Sequence, residues 1–302
     1  MVDVLIIGAG VAGMTAALNA LRNGKSVLII EQETIGGQIS FSPRVENFPT
    51  IPSISGMELV DRLYEQVSAL GAELELERVT GIEKVGNDFK VYAGKNVYDA
   101  HSVIIASGVK HRRLIIPGEE ELSGKGVSYC ALCDGAFFKG ENVAVIGDGN
   151  SALQYALLLS TYCPKVYVCT LFDKFFGDKA LVDALGKKSN VKIMHNVNSI
   201  RFEGENELTG IVFRRPDKSE FTLDVKGCFV AIGQIPDNNG YKNLVDLDKE
   251  GYIISDENCA TRTDGLYVAG DCRTKQIRQL ATAVSDGAIA GFNAGKYVEC
   301  NN

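Results

Sequence analysis

The chain has 302 residues, of which 45% are hydrophobic and 23% are charged, and its formal net charge is −7. This length is enough for two domains with their own cores, and the composition is that of an ordinary soluble globular protein. A negatively charged chain has no general attraction to phosphate backbones, which argues against nucleic acid as a partner.

The first residues carry no sign of export or of membrane insertion. The N-terminus enters an apolar segment at once, without a basic region or a small-residue cleavage site. The apolar run from Val4 to Leu21 contains three glycines together with Thr15 and Asn19, which fits a strand, a turn and a helix better than a membrane span. We therefore expect a cytoplasmic protein that is not bound to a membrane.

The chain opens with a dinucleotide-binding pattern. Residues 2–7 are apolar, as in a buried parallel strand, and lead into Gly8-Ala-Gly10-Val-Ala-Gly13 and a helix that runs to Asn23. Such glycines allow a tight turn and let the backbone approach a pyrophosphate. A second strand, 26–30, ends in Glu31, whose carboxylate would accept hydrogen bonds from a ribose and repel a 2′-phosphate. The pattern predicts FAD or NAD, not NADP.

Turn-forming residues and alternating segments follow this unit. Two loops contain Gly36-Gly37-Gln38 and Val45-Glu-Asn47-Phe-Pro49. An amphipathic helix is predicted from Gly56 to about Leu70, and strands are predicted over 73–79, 89–92 and 102–106.

Cys130-Ala-Leu-Cys133-Asp134 is the stretch most indicative of chemistry. Two thiols at this spacing lie on one face of a first helical turn, where the helix N-terminus favours the thiolate, and Asp134 is placed to take or return a proton. The alternatives are a structural pair or half of a zinc site. However, the other six cysteines form no second pair at this spacing, and the three histidines are scattered. The pattern therefore favours a redox dithiol and predicts no metal.

The dinucleotide pattern occurs a second time, with poorer chemistry. A strand over 142–146, the turn Gly147-Asp-Gly149-Asn-Ser-Ala152, a helix and a strand over 165–169 repeat the first unit. The position equivalent to Glu31 is Thr170, which offers neither an acid for a ribose nor an arginine for a 2′-phosphate. Asp148 also places a negative charge within the turn. Whether this turn binds NAD(P)H or survives because the fold needs it stays open.

The closing segment contains a further strand and turn. Residues 263–271 end in Asp271 at the exposed end of the predicted strand, where α/β sheets hold ligands. Arg278 and Gln279 then open a helix of small residues over 281–294, whose N-terminus would face a bound ligand.

These motifs together resemble the low-molecular-weight thioredoxin reductases over essentially the whole chain. The resemblance and the internal repeat imply an α/β fold of two Rossmann-like, three-layer dinucleotide-binding domains, the second inserted into the first. The FAD domain would comprise residues 1–112 and 239–302, and the redox domain 113–238. The resemblance implies that FAD is held by Gly8, Gly10, Gly13, Glu31, Gly37, Gln38, Asn47, Ala106, Gly270, Asp271, Arg278, Gln279 and Leu280.

The resemblance also implies roles for the dithiol. Cys133 would be the sulfur nearest the flavin, Cys130 the thiol that attacks the disulfide of a thioredoxin-like partner, and Asp134 the acid. The redox domain would swing on linkers at 110–113 and 235–238, and the enzyme would be a homodimer.

One segment departs from the family pattern. Members that use NADPH carry His-Arg-Arg-x-x-x-Arg after the second strand of the inserted domain, whereas this chain reads Thr170-Leu-Phe-Asp-Lys-Phe-Phe176. The loss of these arginines looks like the divergent members that do not use NADPH, some of which accept electrons from ferredoxin. An acidic ferredoxin would need a local basic patch, for which 110–113, 214–215 and 273–278 are the candidates.

Two other functions remain open at this point. A dithiol oxidase of the same fold would reverse the flow and pass electrons from a thiol substrate to oxygen. A flavin-binding or partner-binding module without enzymatic activity would explain the altered second turn.

Overall fold

The structure is a computed structural model that describes residues 1–42 and 44–301. It divides into two compact units, of which the first comprises Met1–Lys110 and Ile235–Asn302 and the second His111–Gln234. The second unit is therefore one continuous stretch that interrupts the first.

The helices and strands follow one another in a regular α/β order. In the first half they are β1 (Val2–Ile7), α1 (Val11–Arg22), β2 (Val27–Glu31), α2 (Gly56–Ala69), β3 (Glu73–Leu76), β4 (Val79–Val85), β5 (Asp88–Ala93), β6 (Asn96–Ile105), β7 (Lys110–His111), β8 (Val127–Ser128), α3 (Ala131–Asp134) and β9 (Asn142–Ile146). They continue with α4 (Asn150–Leu159), β10 (Lys165–Cys169), α5 (Lys179–Gly186), β11 (Val191–Met194), β12 (Asn198–Glu203), β13 (Gly210–Arg214), β14 (Glu220–Asp224), β15 (Gly227–Val230), β16 (Gln234–Ile235), β17 (Leu266–Val268) and α6 (Leu280–Asn301).

The sheet of the first unit has the order β3-β2-β1-β6-β5-β4, with β17 also paired to β6. Strands β1, β2, β3 and β17 are parallel to their neighbours. Strand β6 is parallel to β1 and β17 but antiparallel to β5, which is in turn antiparallel to β4. Ile7 lies opposite both Ile30 and Ile105, so the carboxyl ends of β1, β2 and β6 meet at one edge of the sheet. Binding sites of open parallel sheets lie at such an edge.

Helices α1 and α6 pack together on one face of this sheet, and two glycines make their close approach possible. A β-carbon at Gly287 would lie 2.3 Å from the carbonyl oxygen of Ala12, and one at Gly291 would lie 2.3 Å from that of Ala16. The other face is covered by β4, β5 and the segment around Tyr241 and Ile253. The C-terminal helix thus packs directly onto the first helix of the chain.

The second unit is built around a parallel sheet of order β11-β10-β9-β15-β8. Side chains alternate along β9, so that Val143 and Val145 pack against α4 and α5, while Ala144 and Ile146 pack against the antiparallel sheet β12-β13-β14. The unit therefore has three layers.

The predicted fold class is confirmed, and the differences concern element boundaries. The strand expected over 73–79 is two strands, with a break between Leu76 and Val79. The strand expected over 102–106 is the second half of Asn96–Ile105, and its end at Ile105 places Ala106 just beyond it. Helix α6 extends beyond the predicted end at 294 to Asn301, because Val298 is buried in the core cluster and Tyr297 donates to the carbonyl oxygen of Asn87 at 3.1 Å. Among the described residues, no helix is both long enough and apolar enough to cross a membrane.

Candidate functional site

The first glycine turn joins β1 to α1, and its three glycines have different surroundings. A β-carbon at Gly8, where φ is +107°, would lie 2.4 Å from the carbonyl oxygen of Ala106. A β-carbon at Gly13 would lie 1.9 Å from the carbonyl oxygen of Gly8. In contrast, the nearest atom to a β-carbon at Gly10 is Gly36 O, at 3.9 Å. Protein packing therefore explains Gly8 and Gly13, while Gly10 leaves space beside the backbone for a ligand.

Glu31 ends β2 beside this turn. The residue is 8% exposed, and its Oε2 accepts a hydrogen bond from the N–H of Ala9 at 2.7 Å. Its Oε1 accepts from the N–H of Glu33 at 2.8 Å. The carboxylate is thus held rigidly against the turn, and each oxygen keeps a lone pair for a hydroxyl group of a ligand.

A second loop lies against the turn. The N–H of Gly36 donates to the carbonyl oxygen of Ala9 at 2.8 Å, and a β-carbon at Gly37 would lie 3.7 Å from the α-carbon of Gly10. Gln38 then donates from Nε2 to the carbonyl oxygen of Val109. The predicted residues of this loop therefore sit at the same edge of the sheet as the glycine turn.

The C-terminal segment brings its predicted residues to the same unit. Gln279 Oε1 accepts a hydrogen bond from Asn47 Nδ2 at 3.1 Å, although the two residues are 232 positions apart. Leu280, the first residue of α6, packs against the apolar cluster that contains Val11. A β-carbon at Gly270, where φ is +81°, would lie 2.8 Å from the β-carbon of Ala12.

Asp271 is the acid that follows this glycine. Its Oδ1 is buried and accepts no hydrogen bond from the residues that the structure describes. Burial raises the pKa of Asp271, while the cations Lys275 and Arg278 counteract that shift. Arg278 itself stacks on the Tyr252 ring at 4.0 Å and donates from Nε to the carbonyl oxygen of Asp271 at 3.3 Å. A buried carboxylate oxygen of this kind is suited to accept a hydrogen bond from a ligand.

These features fit a dinucleotide. The gap beside Gly10 can admit a pyrophosphate, Glu31 can bind a ribose, and Asp271 offers a buried acceptor. These three features come from β1, β2 and the segment after β17, so the sheet edge brings them together.

The dithiol lies in the second unit, at the start of the short helix α3. Cys130 and Cys133 form a disulfide, with their α-carbons 5.3 Å apart. The Cys130 sulfur accepts a hydrogen bond from the N–H of Cys133 at 3.2 Å. Leu132, between the two cysteines, is 55% exposed. Cys130 is half-buried and Cys133 is exposed. The expected redox pair is therefore formed at the surface of the second unit.

Ser128 connects this pair to Asp134, a link that the spacing of the cysteines did not suggest. Ser128 Oγ donates to Asp134 Oδ2 at 2.6 Å and accepts from the N–H of Cys130 at 3.1 Å. Burial raises the pKa of Asp134, and the hydrogen bond from Ser128 opposes that shift. Asp134 Oδ1 is buried and has no hydrogen-bond partner among residues 1–42 and 44–301. An acid with a raised pKa beside a disulfide is a suitable proton donor.

The other six cysteines are free thiols, and five of them are buried. Burial raises the pKa of Cys163 to about 11 and that of Cys169 to about 12, so both remain protonated at neutral pH. Within the described ranges, no group of three or more potential ligands is arranged to hold a metal ion. The two cysteines that would form half of a zinc site are joined to each other instead.

The second glycine turn keeps its shape. A β-carbon at Gly147, where φ is +150°, would lie 2.3 Å from the carbonyl oxygen of Ala231, while a β-carbon at Gly149 would meet nothing within 4 Å. This arrangement repeats that of Gly8 and Gly10.

The loop after β10 lies against this turn. The N–H of Phe176 donates to the carbonyl oxygen of Asp148 at 2.8 Å. Asn150 and Asp178 exchange two hydrogen bonds of 3.1 and 2.7 Å. A β-carbon at Gly177 would lie 3.2 Å from the backbone nitrogen of Asn150, the first residue of α4. The loop thus contacts the first residue of α4, next to the helix N-terminus at which a pyrophosphate would bind, while the space beside Gly149 itself stays open.

Thr170 is at the position that corresponds to Glu31 in the first unit, and its hydroxyl group bonds to other residues of the protein. Its side chain is fully buried, with Oγ1 at 2.6 Å from the carbonyl oxygen of Phe172 and at 2.7 Å from His195 Nδ1. Beyond it, Phe172 and Phe176 are exposed and stack edge to face. Residues Thr170-Leu-Phe172 offer neither an acid for a ribose nor a guanidinium for a 2′-phosphate, and the acids of this loop, Asp173 and Asp178, come later in it.

The three expected basic patches differ in the exposure of their charges. Arg273 is buried in an ion pair with Asp286, and the side chain of Lys275 is also buried, so 273–278 presents no continuous positive charge. Arg214 and Arg215 are exposed, and Arg214 is paired with Glu220 at 2.7 Å. Arg112 and Arg113 are exposed, and Lys110 is paired with Glu33. Both 110–113 and 214–215 therefore remain candidates.

Comparisons with known proteins agree over the full chain. Residues 2–287 match the family model described as pyridine nucleotide-disulphide oxidoreductase. The thioredoxin reductase of Listeria monocytogenes is 42% identical over 300 residues, which cover 98% of this chain and 94% of that protein. A 34.2 kDa protein of the rubredoxin operon of Clostridium pasteurianum is 41% identical and covers 98% of this chain and 97% of its own length. The crystal structure of the Streptococcus pyogenes thioredoxin reductase superimposes with a TM-score of 0.96 at 38% identity, covering 99% of both chains.

Proposed function

We propose that this chain, which belongs to the pyridine nucleotide-disulphide oxidoreductase family, is a flavoenzyme that reduces the disulfide of a thioredoxin-type protein. The observation that carries the proposal is the Cys130–Cys133 disulfide beside a buried acid, in a chain that also has a dinucleotide turn with open space at Gly10. The relatives of similar length that are named thioredoxin reductases support the same reaction.

FAD, when bound, would supply two electrons to the disulfide, and the protein would supply a proton. Conversion of Cys130–Cys133 to a Cys130 thiolate and a Cys133 thiol consumes two electrons and one proton. Asp134 is the group in contact with Ser128 that can provide a proton, since burial favours its protonated form. The Ser128 hydroxyl holds Asp134 in place while it also binds the N–H of Cys130.

The reduced dithiol then reacts with the partner. The N–H of Cys133 points at the Cys130 sulfur, and such a donor stabilises negative charge there, which favours Cys130 as the thiolate that attacks. Attack forms a bond between Cys130 and one partner sulfur and releases the other as a thiolate. Cys133 then gives its proton to that thiolate and attacks the Cys130 sulfur, which restores the disulfide and releases the second partner sulfur as a thiolate that takes a proton from solvent.

Trapping experiments test the assignment of the two thiols. Cys133→Ser should accumulate a mixed disulfide with thioredoxin, because the second attack is no longer possible, whereas Cys130→Ser should not. Non-reducing electrophoresis and mass spectrometry of the linked peptide detect the adduct. An adduct formed by Cys130→Ser through Cys133 would reverse the two roles.

We propose further that the electrons come from a protein donor of the ferredoxin type and not from NADPH. The loop over 176–178 contacts the N-terminus of α4, next to the position of a dinucleotide phosphate. The hydroxyl group of Thr170, at the position of a ribose-binding acid, already bonds to Phe172 and His195. The exposed Arg112 and Arg113 provide positive charge for an acidic donor.

An anaerobic titration tests the donor. The oxidised FAD-loaded enzyme is mixed separately with NADPH, NADH and reduced ferredoxin, while flavin bleaching and thioredoxin reduction are followed. We expect bleaching with ferredoxin alone. Rapid bleaching by micromolar NADPH would refute the proposed donor, and peroxide production from thiols in air without a reductant would favour a dithiol oxidase. Light scattering of the holoenzyme tests the expected homodimer.

A further inference from the structure

Lys275 is buried between two carboxylates in the first unit. Its side chain is only 8% exposed, yet its Nζ lies 2.7 Å from Asp286 Oδ2 and 4.0 Å from Asp271 Oδ1. Burial of a charged lysine costs free energy unless the charge is paired with an opposite charge. The two carboxylates differ in how far they depend on this cation.

Asp286 has other partners. Arg273 Nη1 pairs with Asp286 Oδ1 at 3.0 Å, and the N–H of Gly270 donates to Asp286 Oδ2 at 3.1 Å. Arg273 is itself fixed by Ser255 Oγ, which accepts from its Nε at 2.6 Å, and by the carbonyl oxygen of Asp256. The charge of Asp286 is therefore compensated without Lys275.

Asp271 has no such alternative. Arg278 donates to the backbone carbonyl oxygens of Asp271 and Arg273 and stacks on Tyr252, so its guanidinium is engaged elsewhere than at the carboxylate. Among the ion pairs of the described residues, only that with Lys275 reaches the Asp271 side chain. Its buried Oδ1 is also the oxygen that accepts no hydrogen bond from those residues.

We propose that Lys275 is a positioning residue of the flavin site, whose ammonium keeps Asp271 as a carboxylate that accepts hydrogen bonds from hydroxyl groups of FAD. The inference rests on the proposed flavin site. It goes beyond that proposal by assigning a function to a residue that need not touch the cofactor.

The charges around Asp271 predict how the binding of FAD depends on pH. Burial and the neighbouring Asp286 raise the pKa of Asp271, whereas Lys275 and Arg278 lower it. Two further titratable neighbours, Tyr252 and Cys272, both have raised pKa values and stay neutral between about pH 5.5 and about pH 8.5. Removal of the Lys275 charge would therefore raise the pKa of Asp271 further, so that the carboxylate, and with it the affinity for FAD, is lost at a higher pH as the solution is acidified.

The test compares Lys275→Met with Lys275→Arg. The dissociation constant of FAD is measured for each apoprotein by fluorescence quenching between about pH 5.5 and about pH 8.5. We expect Lys275→Met to lose roughly tenfold or more in affinity near the acidic end and less than about threefold near the basic end. Lys275→Arg keeps the charge and should follow the wild-type profile. In an Asp271→Asn background, which cannot titrate, Lys275→Met should add no pH dependence.

The outcomes separate this inference from the proposed function. Circular dichroism and thermal unfolding of each apoprotein establish that the variants fold. A folded Lys275→Met protein whose affinity falls equally at every pH, or does not fall, would overturn the role of Lys275 while leaving the flavin site intact. Failure of the wild-type apoprotein to bind FAD would instead overturn the proposed function.

Discussion

Substitution by alanine should have different effects at Gly10 and Gly13: a loss of FAD affinity at Gly10 and a loss of apoprotein stability at Gly13. Gly10 has φ −70° and ψ 175°, which alanine adopts without strain, and a new β-carbon there would meet no protein atom closer than 3.9 Å. Gly10→Ala should therefore leave the apoprotein as stable as the wild type, or stabilise it by about 0.4–1 kcal/mol through the lower entropy of the unfolded chain.

The same added methyl group should weaken FAD binding, because the space beside Gly10 is the space that a pyrophosphate would use. Overpacking of a well-fitted contact costs roughly 1–3 kcal/mol, which corresponds to about a 5-fold to 150-fold loss of affinity. Gly13→Ala is the matched control. Its β-carbon would lie 1.9 Å from Gly8 O, so we expect a loss of about 2–3 kcal/mol in apoprotein stability, only partly offset by the helix propensity of alanine.

The assay has two readouts on each apoprotein. Urea unfolding followed by circular dichroism gives stability, and quenching of FAD fluorescence gives affinity. We expect Gly10→Ala to lower the affinity for FAD without loss of stability, and Gly13→Ala to lower the stability of the apoprotein. A Gly10→Ala apoprotein that is destabilised by more than about 1 kcal/mol, or that binds FAD normally, would refute it.

Three further predictions concern the second unit. Gly149→Ala should leave thioredoxin reduction by the ferredoxin-reduced enzyme unchanged, since a β-carbon there meets no atom within 4 Å and the proposed mechanism uses no dinucleotide at this turn. A large loss of turnover would show that a ligand binds there. Asp134→Asn should slow reduction of thioredoxin, because the proton donor is lost. Since only the ionised form of Asp134 is penalised by burial, the substitution should also raise the thermal midpoint of the oxidised protein, and more so at pH values above the raised pKa of Asp134 than below it. An equal change of midpoint at all pH values would contradict this. Ile115 has φ +57° and is 89% exposed. Ile115→Gly should remove roughly 1–2 kcal/mol of strain from the left-handed backbone conformation, at a cost of about 0.5–1 kcal/mol in chain entropy, so the stability against urea should be equal or slightly higher. A clear loss of stability would refute the assignment of strain.

Much of the proposed flavin site could be inferred from the sequence because its signals are local. Gly8, Gly10 and Gly13 lie within one turn, and Glu31 lies at the end of the next strand, where the pattern of apolar residues sets its position. The spacing of Cys130 and Cys133 similarly confines both sulfurs to one helical turn, which is why their pairing agrees with the expectation. In the C-terminal segment the predicted strand end already indicated Asp271, and the family resemblance added Gly270 and Leu280.

The expectation of a basic surface over 273–278 was wrong, because the order of charged residues in the sequence does not show which of their side chains are buried. Arginine and lysine are normally exposed, but here Arg273 and Lys275 turn inward to Asp286, a residue of α6. That helix is brought to them by its close packing on α1. The sequence shows the charges, and only the packing shows which of them face each other.

By itself, the sequence determined the two strand-turn-helix units, the acid after the first of them and the dithiol, since each depends on residues close together in the chain. The tertiary structure decided what depends on distant residues: the bond between Asn47 and Gln279, the link from Ser128 to Asp134 and the lysine behind Asp271. It also placed the loop over 176–178 on the N-terminus of α4. Local propensity can form a turn, but the packing of whole elements determines which side chains surround it.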